Sequence, residues 1–134
     1  MCHAGVGQDY RSAMTRAGVV LGGYLATVHR FVTQRGETND TDRLCTSGRA
    51  VLTGDGLALI AFLHAARTYL TVHQAPEEVW RWHEAALTVV IDLVIDGATF
   101  QRLDEDLRQG LVTTYHAASG RGPECGDSAD LACR

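Results

Sequence analysis

The chain has no lysine: all 12 of its basic residues are arginine. Lysine Schiff-base chemistry and a phosphate-binding loop of the Gly-Lys-Ser/Thr type are therefore excluded, and any anion site must use arginine or helix ends. No run of positive charge is present, and the formal net charge of -4 with a pI of about 5.8 argues against a nucleic-acid partner. Long apolar runs are also missing. The longest, Gly56 to Ala66, contains His64 and falls short of the about 20 residues that cross a bilayer, so no membrane-spanning segment is expected. The cysteines Cys2, Cys45, Cys125 and Cys133 form no Cys-x-x-Cys pair and no secretory signal peptide precedes them, so they read as reduced thiols of a cytoplasmic protein. Nor is there a Gly-x-Ser-x-Gly elbow, a His-x-x-x-His pair or a Glu-x-x-His pair, which leaves hydrolase and local metal-helix signatures without support and the catalytic residues unassigned.

What is present is a globular mixture. Of 134 residues, 46% are hydrophobic and 21% charged, enough apolar material for one buried core. Composition changes after Ser119, where Gly, Pro and polar residues dominate. The expected organisation is a helical domain over 1–119 and a flexible tail over 120–134, with the first seven residues loose as well.

Apolar spacing predicts four helices in a small antiparallel all-α bundle. Tyr10, Met14, Ala17, Leu21, Leu25, Val28 and Val32 recur at three- and four-residue steps between Gln8 and Arg35, and Gly36 offers a C-cap. Residues 37–46 read as a polar loop. Ser47 to His73 carries two adjacent apolar stripes, the mark of a central helix, although Thr53-Gly54-Asp55-Gly56 inside it also reads as a hairpin turn. Pro76-Glu77-Glu78 starts a third helix with acids at the positive end of its dipole, and Gly97 closes it after Asp96. A fourth, from about Thr99 to Ala118, carries Phe100, Leu103, Leu107, Leu111 and Tyr115. Connections this short favour antiparallel neighbours.

Three groups of residues bear on chemistry. Asp92 and Asp96 stand one turn apart on the third helix, where two carboxylates repel each other unless a cation joins them; Mg²⁺ bridging to a diphosphate suits such a pair, and so does plain solvation on a polar face. Asp55 falls in register with Val51, Ala58 and Phe62, so in a continuous helix it needs a partner, and in a Gly-Asp-Gly turn it needs none. His29, His64, His73, His83 and His116 are spread over the helices, a distribution met both in core histidines and in bundle metal or haem sites. Trp80 and Trp82 flank Arg81 as anchors of a core, an interface or a ligand surface.

The stretch Ala66-Arg67-Thr68-Tyr69-Leu70, followed by Pro76-Glu77-Glu78-Val79 and then Asp92-Leu93-Val94-Ile95-Asp96-Gly97, resembles the opening of phytoene and squalene synthases of the helical isoprenoid synthase superfamily. A competing alignment sets Val51 to Ala58, with Gly54-Asp55-Gly56-Leu57, and then Gly97 and Gln101 to Asp104 beside the middle of trans-polyprenyl diphosphate synthases. The first likeness implies Asp92 and Asp96 as Mg²⁺ ligands; between them the two imply Asp55, Arg67 and Tyr69 around a prenyl diphosphate. Members of that superfamily have about twice this length and a second aspartate-rich helix, absent here. The resemblance therefore implies a prenyl-diphosphate-binding or apolar-ligand-binding domain, incomplete as a catalyst alone, in a homo-oligomer or beside a partner subunit. The alternative is a structural or regulatory interaction protein without an active site, its wide apolar faces completed by a partner chain.

Overall fold

The computed structural model describes residues 2–35, 41–97 and 100–119, which fold as five helices: α1 (Cys2–Arg35), α2 (Thr41–Leu52), α3 (Gly56–Val72), α4 (Glu77–Ile95) and α5 (Glu105–Ala118). The all-helical class is as the spacing predicts, with one helix more. The expected tail over 120–134 lies outside the described residues. α1 starts at Cys2 rather than Gln8, because glycines such as Gly5 and Gly7 weaken a helix by about 1 kcal/mol each without forbidding it.

The extra helix comes from a break in the stretch expected as one helix over Ser47 to His73. Gly54 adopts φ of 101°, a conformation that side chains resist, and its N–H closes the last turn of α2 onto the Val51 carbonyl at 2.9 Å. Asp55 then caps α3 by accepting from the Ala58 N–H at 3.2 Å. The turn is tied down from outside: Leu103 N–H donates to the Gly54 carbonyl at 2.9 Å, Asp55 bridges the backbone of Arg102, and a Cβ on Gly56 would run into the Phe100 carbonyl. The residues expected to open the last helix are spent on this contact. α5 accordingly begins at Glu105, where the Asp104 carboxylate accepts from Asp106 N–H at 2.8 Å.

That one turn sets the polarity of the bundle. Tyr24 meets Phe62 and Phe31 meets Tyr69, so α3 runs parallel to α1; Tyr10 bonds Asp104 and His29 bonds Tyr115, so α5 does as well. α4 is antiparallel, with Gly23 receiving the Trp82 ring, while Leu93 lines a cleft with Tyr10 and Met14 nearer the start of α1. An uninterrupted second helix would have reversed α5; the consecutive helices α3, α4 and α5 alternate in direction as short connections favour, and the parallel contact is between α1 and α5, which do not follow each other in the chain.

The parallel α1–α5 pair is the tightest in the fold. A Cβ at Gly18 or Gly22 would collide with the backbone of Leu107 and Leu111, and one at Gly110 with the Thr15 carbonyl, so the two backbones touch with no side chain between them. Around this seam Leu21, Tyr24, Leu25, Leu59, Leu70, Leu107, Leu111 and Tyr115 are buried, each large apolar side chain contributing about 1.5–3 kcal/mol on removal from water. Cys45, expected as a free thiol, is disulfide-bonded.

Candidate functional site

α3 and α4 are joined through His73, Gln74, Ala75 and Pro76, with Gln74 in the left-handed region at φ of 52°. Pro76 fixes the entry to α4, and Glu77 and Glu78 fill its first turn. Beyond this connection the two helices line a groove of about 480 Å³. Its walls are apolar: Ile60 and Leu63 from α3, Trp80, Leu87 and Val90 from α4. Its polar atoms come from His64 and Arg67 on α3 and from His83 and Glu84 on α4. The size falls within the range that holds small apolar ligands.

His83 is the best-defined polar member. It is 2% exposed, its Nδ1 lies 2.8 Å from the Tyr24 hydroxyl on α1, and the Trp80 ring stands edge-on against it at 5.5 Å. Burial lowers the His83 pKa, the Arg67 charge lowers it further, and Glu84 opposes the change in part. Burial raises the Tyr24 pKa, so the hydroxyl keeps its proton.

Apolar exposure continues past the groove. Leu57 and Ile60 on α3 and Leu87, Ile91, Val94 and Ile95 on α4 are all exposed, although the same helices bury Leu59, Leu63, Val90 and Leu93 on their inner sides. On α4, Trp80, Leu87, Ile91 and Val94 are spaced by seven, four and three residues, a second helical stripe beside the buried one of Val79, His83, Ala86, Val90 and Leu93. The sequence carries that outer stripe as a second apolar face beside the inner one.

The residues singled out in the sequence are not gathered in one place. Arg67 is exposed and lines the groove. Tyr69 is buried, edge-on to Phe31 at 6.0 Å and tilted against His73 at 4.2 Å. Asp55 is exposed as the α3 cap, which answers the need for a buried partner that a continuous helix would have raised. Asp92 and Asp96 are exposed at the C-terminal end of α4, outside the groove lining, with the Asp96 N–H bonded to the Asp92 carbonyl at 3.0 Å. As a donor set the two carboxylates suit a hard cation, which would also offset the negative end of the helix dipole. No cluster of three or more His, Cys, Asp or Glu that would enclose a metal occurs among the described residues.

What sequence reasoning missed is the Tyr24–His83 pair, because nothing local links residues 59 positions apart. Among the described residues no helix is long and apolar enough to cross a membrane. No protein-family model matches the chain, no curated protein matches its sequence, and no solved structure matches its fold.

Proposed function

We propose that this chain is a binding domain for an amphipathic small molecule, of the class to which prenyl diphosphates belong, held with its apolar part between α3 and α4. The observation that carries this reading is the groove: apolar walls of Ile60, Leu63, Trp80, Leu87 and Val90, with Arg67 also in its lining. Apolar surface left open in this way is a cost in water that an apolar chain relieves. The resemblance adds Mg²⁺ at Asp92 and Asp96, outside the groove lining, as a separate element that is tested independently of where the head group sits.

The test is thermal melting with and without farnesyl diphosphate, in the presence and absence of Mg²⁺, because a ligand of the folded state alone must raise the midpoint. A rise that Leu87→Arg abolishes supports the groove. No rise in any condition defeats the reading, and a rise independent of Asp92→Ala with Asp96→Ala removes the metal from it.

A second reading is self-association, favoured by the exposed row Leu57, Ile91, Val94 and Ile95 outside the groove. The α3 side of this face carries His64 and Arg67 and the α4 side Glu84, Asp92 and Asp96, so a twofold pairing that sets α3 of one copy on α4 of the other opposes unlike charges. Light scattering that gives a dimer for the wild type and a monomer for Ile91→Glu with Val94→Glu supports this; a monomeric wild type excludes it.

A further inference from the structure

We propose that His83 and Arg67 together recognise an oxygen-anion head on the ligand of the α3–α4 groove, without a metal ion between them. This rests on the groove reading and adds to it the chemistry and the place of the head group.

The proton positions follow from the burial of Tyr24. The hydroxyl is fully enclosed and its partner is Nδ1 of His83 at 2.8 Å. Were Nδ1 to carry the ring proton, the hydroxyl hydrogen would have no acceptor, a defect of about 1–3 kcal/mol in a buried group. Tyr24 therefore donates to Nδ1, and the ring proton of His83 sits on Nε2. An imidazolium would create the same defect beside the Arg67 charge, and the ring stays neutral. His83 thus contributes to the groove wall an N–H donor with no partner among the described residues, on a side chain 2% exposed.

A donor that opens onto the groove is satisfied by water or by what enters in its place. Arg67 lines the same groove and brings only donors. An N–H and a guanidinium together suit a carboxylate or phosphate oxygen, where charge-assisted bonds are about twice as strong as neutral ones. Glu84 is the one acid of the lining; it is exposed, so water and salt screen its opposition. The head so placed lies about 13 Å along α4 from the Asp92 carboxylate, nine residues on, and the two positions are separable by experiment.

The experiment uses the full chain, n-decyl phosphate and 1-decanol in EDTA, with tryptophan fluorescence reporting binding beside Trp80. Decyl phosphate binds at least tenfold more tightly than decanol, the preference collapses in Arg67→Gln, and the Nε2 nitrogen resonance of His83 shifts on binding. Because His83→Phe alone strands the Tyr24 hydroxyl, the second variant is Tyr24→Phe with His83→Phe, which removes donor and acceptor together and lowers the preference again. Equal binding of phosphate and alcohol overturns the head-group assignment and leaves the groove reading standing. Binding of neither, or binding indifferent to Leu87→Arg, defeats the groove reading and this inference with it. A preference that needs Mg²⁺ and vanishes in Asp92→Ala with Asp96→Ala moves the head to the other end of α4 and overturns the proposal.

Discussion

The hydroxyl of Tyr115 lies 2.9 Å from Nδ1 of His29 across the α1–α5 seam, the same pairing that Tyr24 makes with His83 across α1 and α4. α1 is held on two sides by a phenol and an imidazole. The two pairs differ in solvation: His83 is buried, whereas His29 is only partly so.

The difference gives the first prediction. Tyr24→Phe leaves the Nδ1 of a buried imidazole without a donor and lowers the unfolding free energy by about 1–3 kcal/mol. Tyr115→Phe lowers it less, since water reaches the half-buried ring of His29. Urea unfolding of the two variants against the wild type measures both, and an equal loss would refute the role assigned to burial.

Acid sensitivity is the second. Histidine titrates near 6.5 in an unfolded chain, and in the folded protein His83 titrates lower, through burial first and Arg67 second, with Glu84 opposing. Between these two values the unfolded chain binds more protons than the folded one, so stability rises with pH there. The stability due to the neutral ring is fully present above the unfolded value and is lost as pH falls through that value and the lower, folded one. The groups that face the ring are Tyr24 from α1, His64 and Arg67 from α3, and Glu84 from α4. Melting midpoints taken between about pH 7.5 and pH 5 should fall more steeply for the wild type than for Tyr24→Phe with His83→Phe.

Backbone contact supplies the third. Gly18→Ala forces a methyl into the backbone of Leu107 and Leu111 and costs about 1–3 kcal/mol or more, because neither helix can yield locally. Gly97→Ala meets no atom of the described residues and pays only for its φ of 89°, about 1 kcal/mol. Chemical denaturation ranks them, and a Gly18 variant as stable as the Gly97 variant would show that the seam is looser than described.

Neighbouring positions on α4 give the fourth. Leu93 is 6% exposed and Ile95 75% exposed. Leu93→Ala costs about 2–5 kcal/mol by leaving a cavity, whereas Ile95→Ala changes stability by less than about 0.5 kcal/mol. Thermal melts at low protein concentration test the contrast; a large loss at Ile95 would mean that the outer face is covered in solution.

How much of this was legible beforehand depended on distance along the chain. The stripe through Tyr10, Leu21, Leu25 and Val32, the proline start at Pro76 and the stop at Gly97 are local signals, and α1 and α4 followed from them. The break at Gly54 was visible as an alternative, but its choice is made by Phe100, Arg102 and Leu103, which lean on the turn from far along the sequence. Gly18 and Gly22, four residues apart, were readable as a smooth helix face, though nothing local named Leu107 and Leu111 as the surface against it. Within the site, Arg67 came from a likeness of short segments and Trp80 from its residue type, whereas the polarity of His83 depends on a tyrosine that only the folded chain brings near.

The parallel seam of α1 and α5 also governs the order in which the molecule can be completed during synthesis. The chain leaves the ribosome with α1 first, and the helix that fits against Gly18 and Gly22 is the last of the five to emerge. Until then α1 holds a smooth strip without its counterpart, and closing the pair brings together segments about 90 residues apart, at the slow, non-local end of folding events. Nascent chains halted before residue 105 would therefore hold helices without a finished interior, and protection of α1 amides from exchange would arise only after α5 is free.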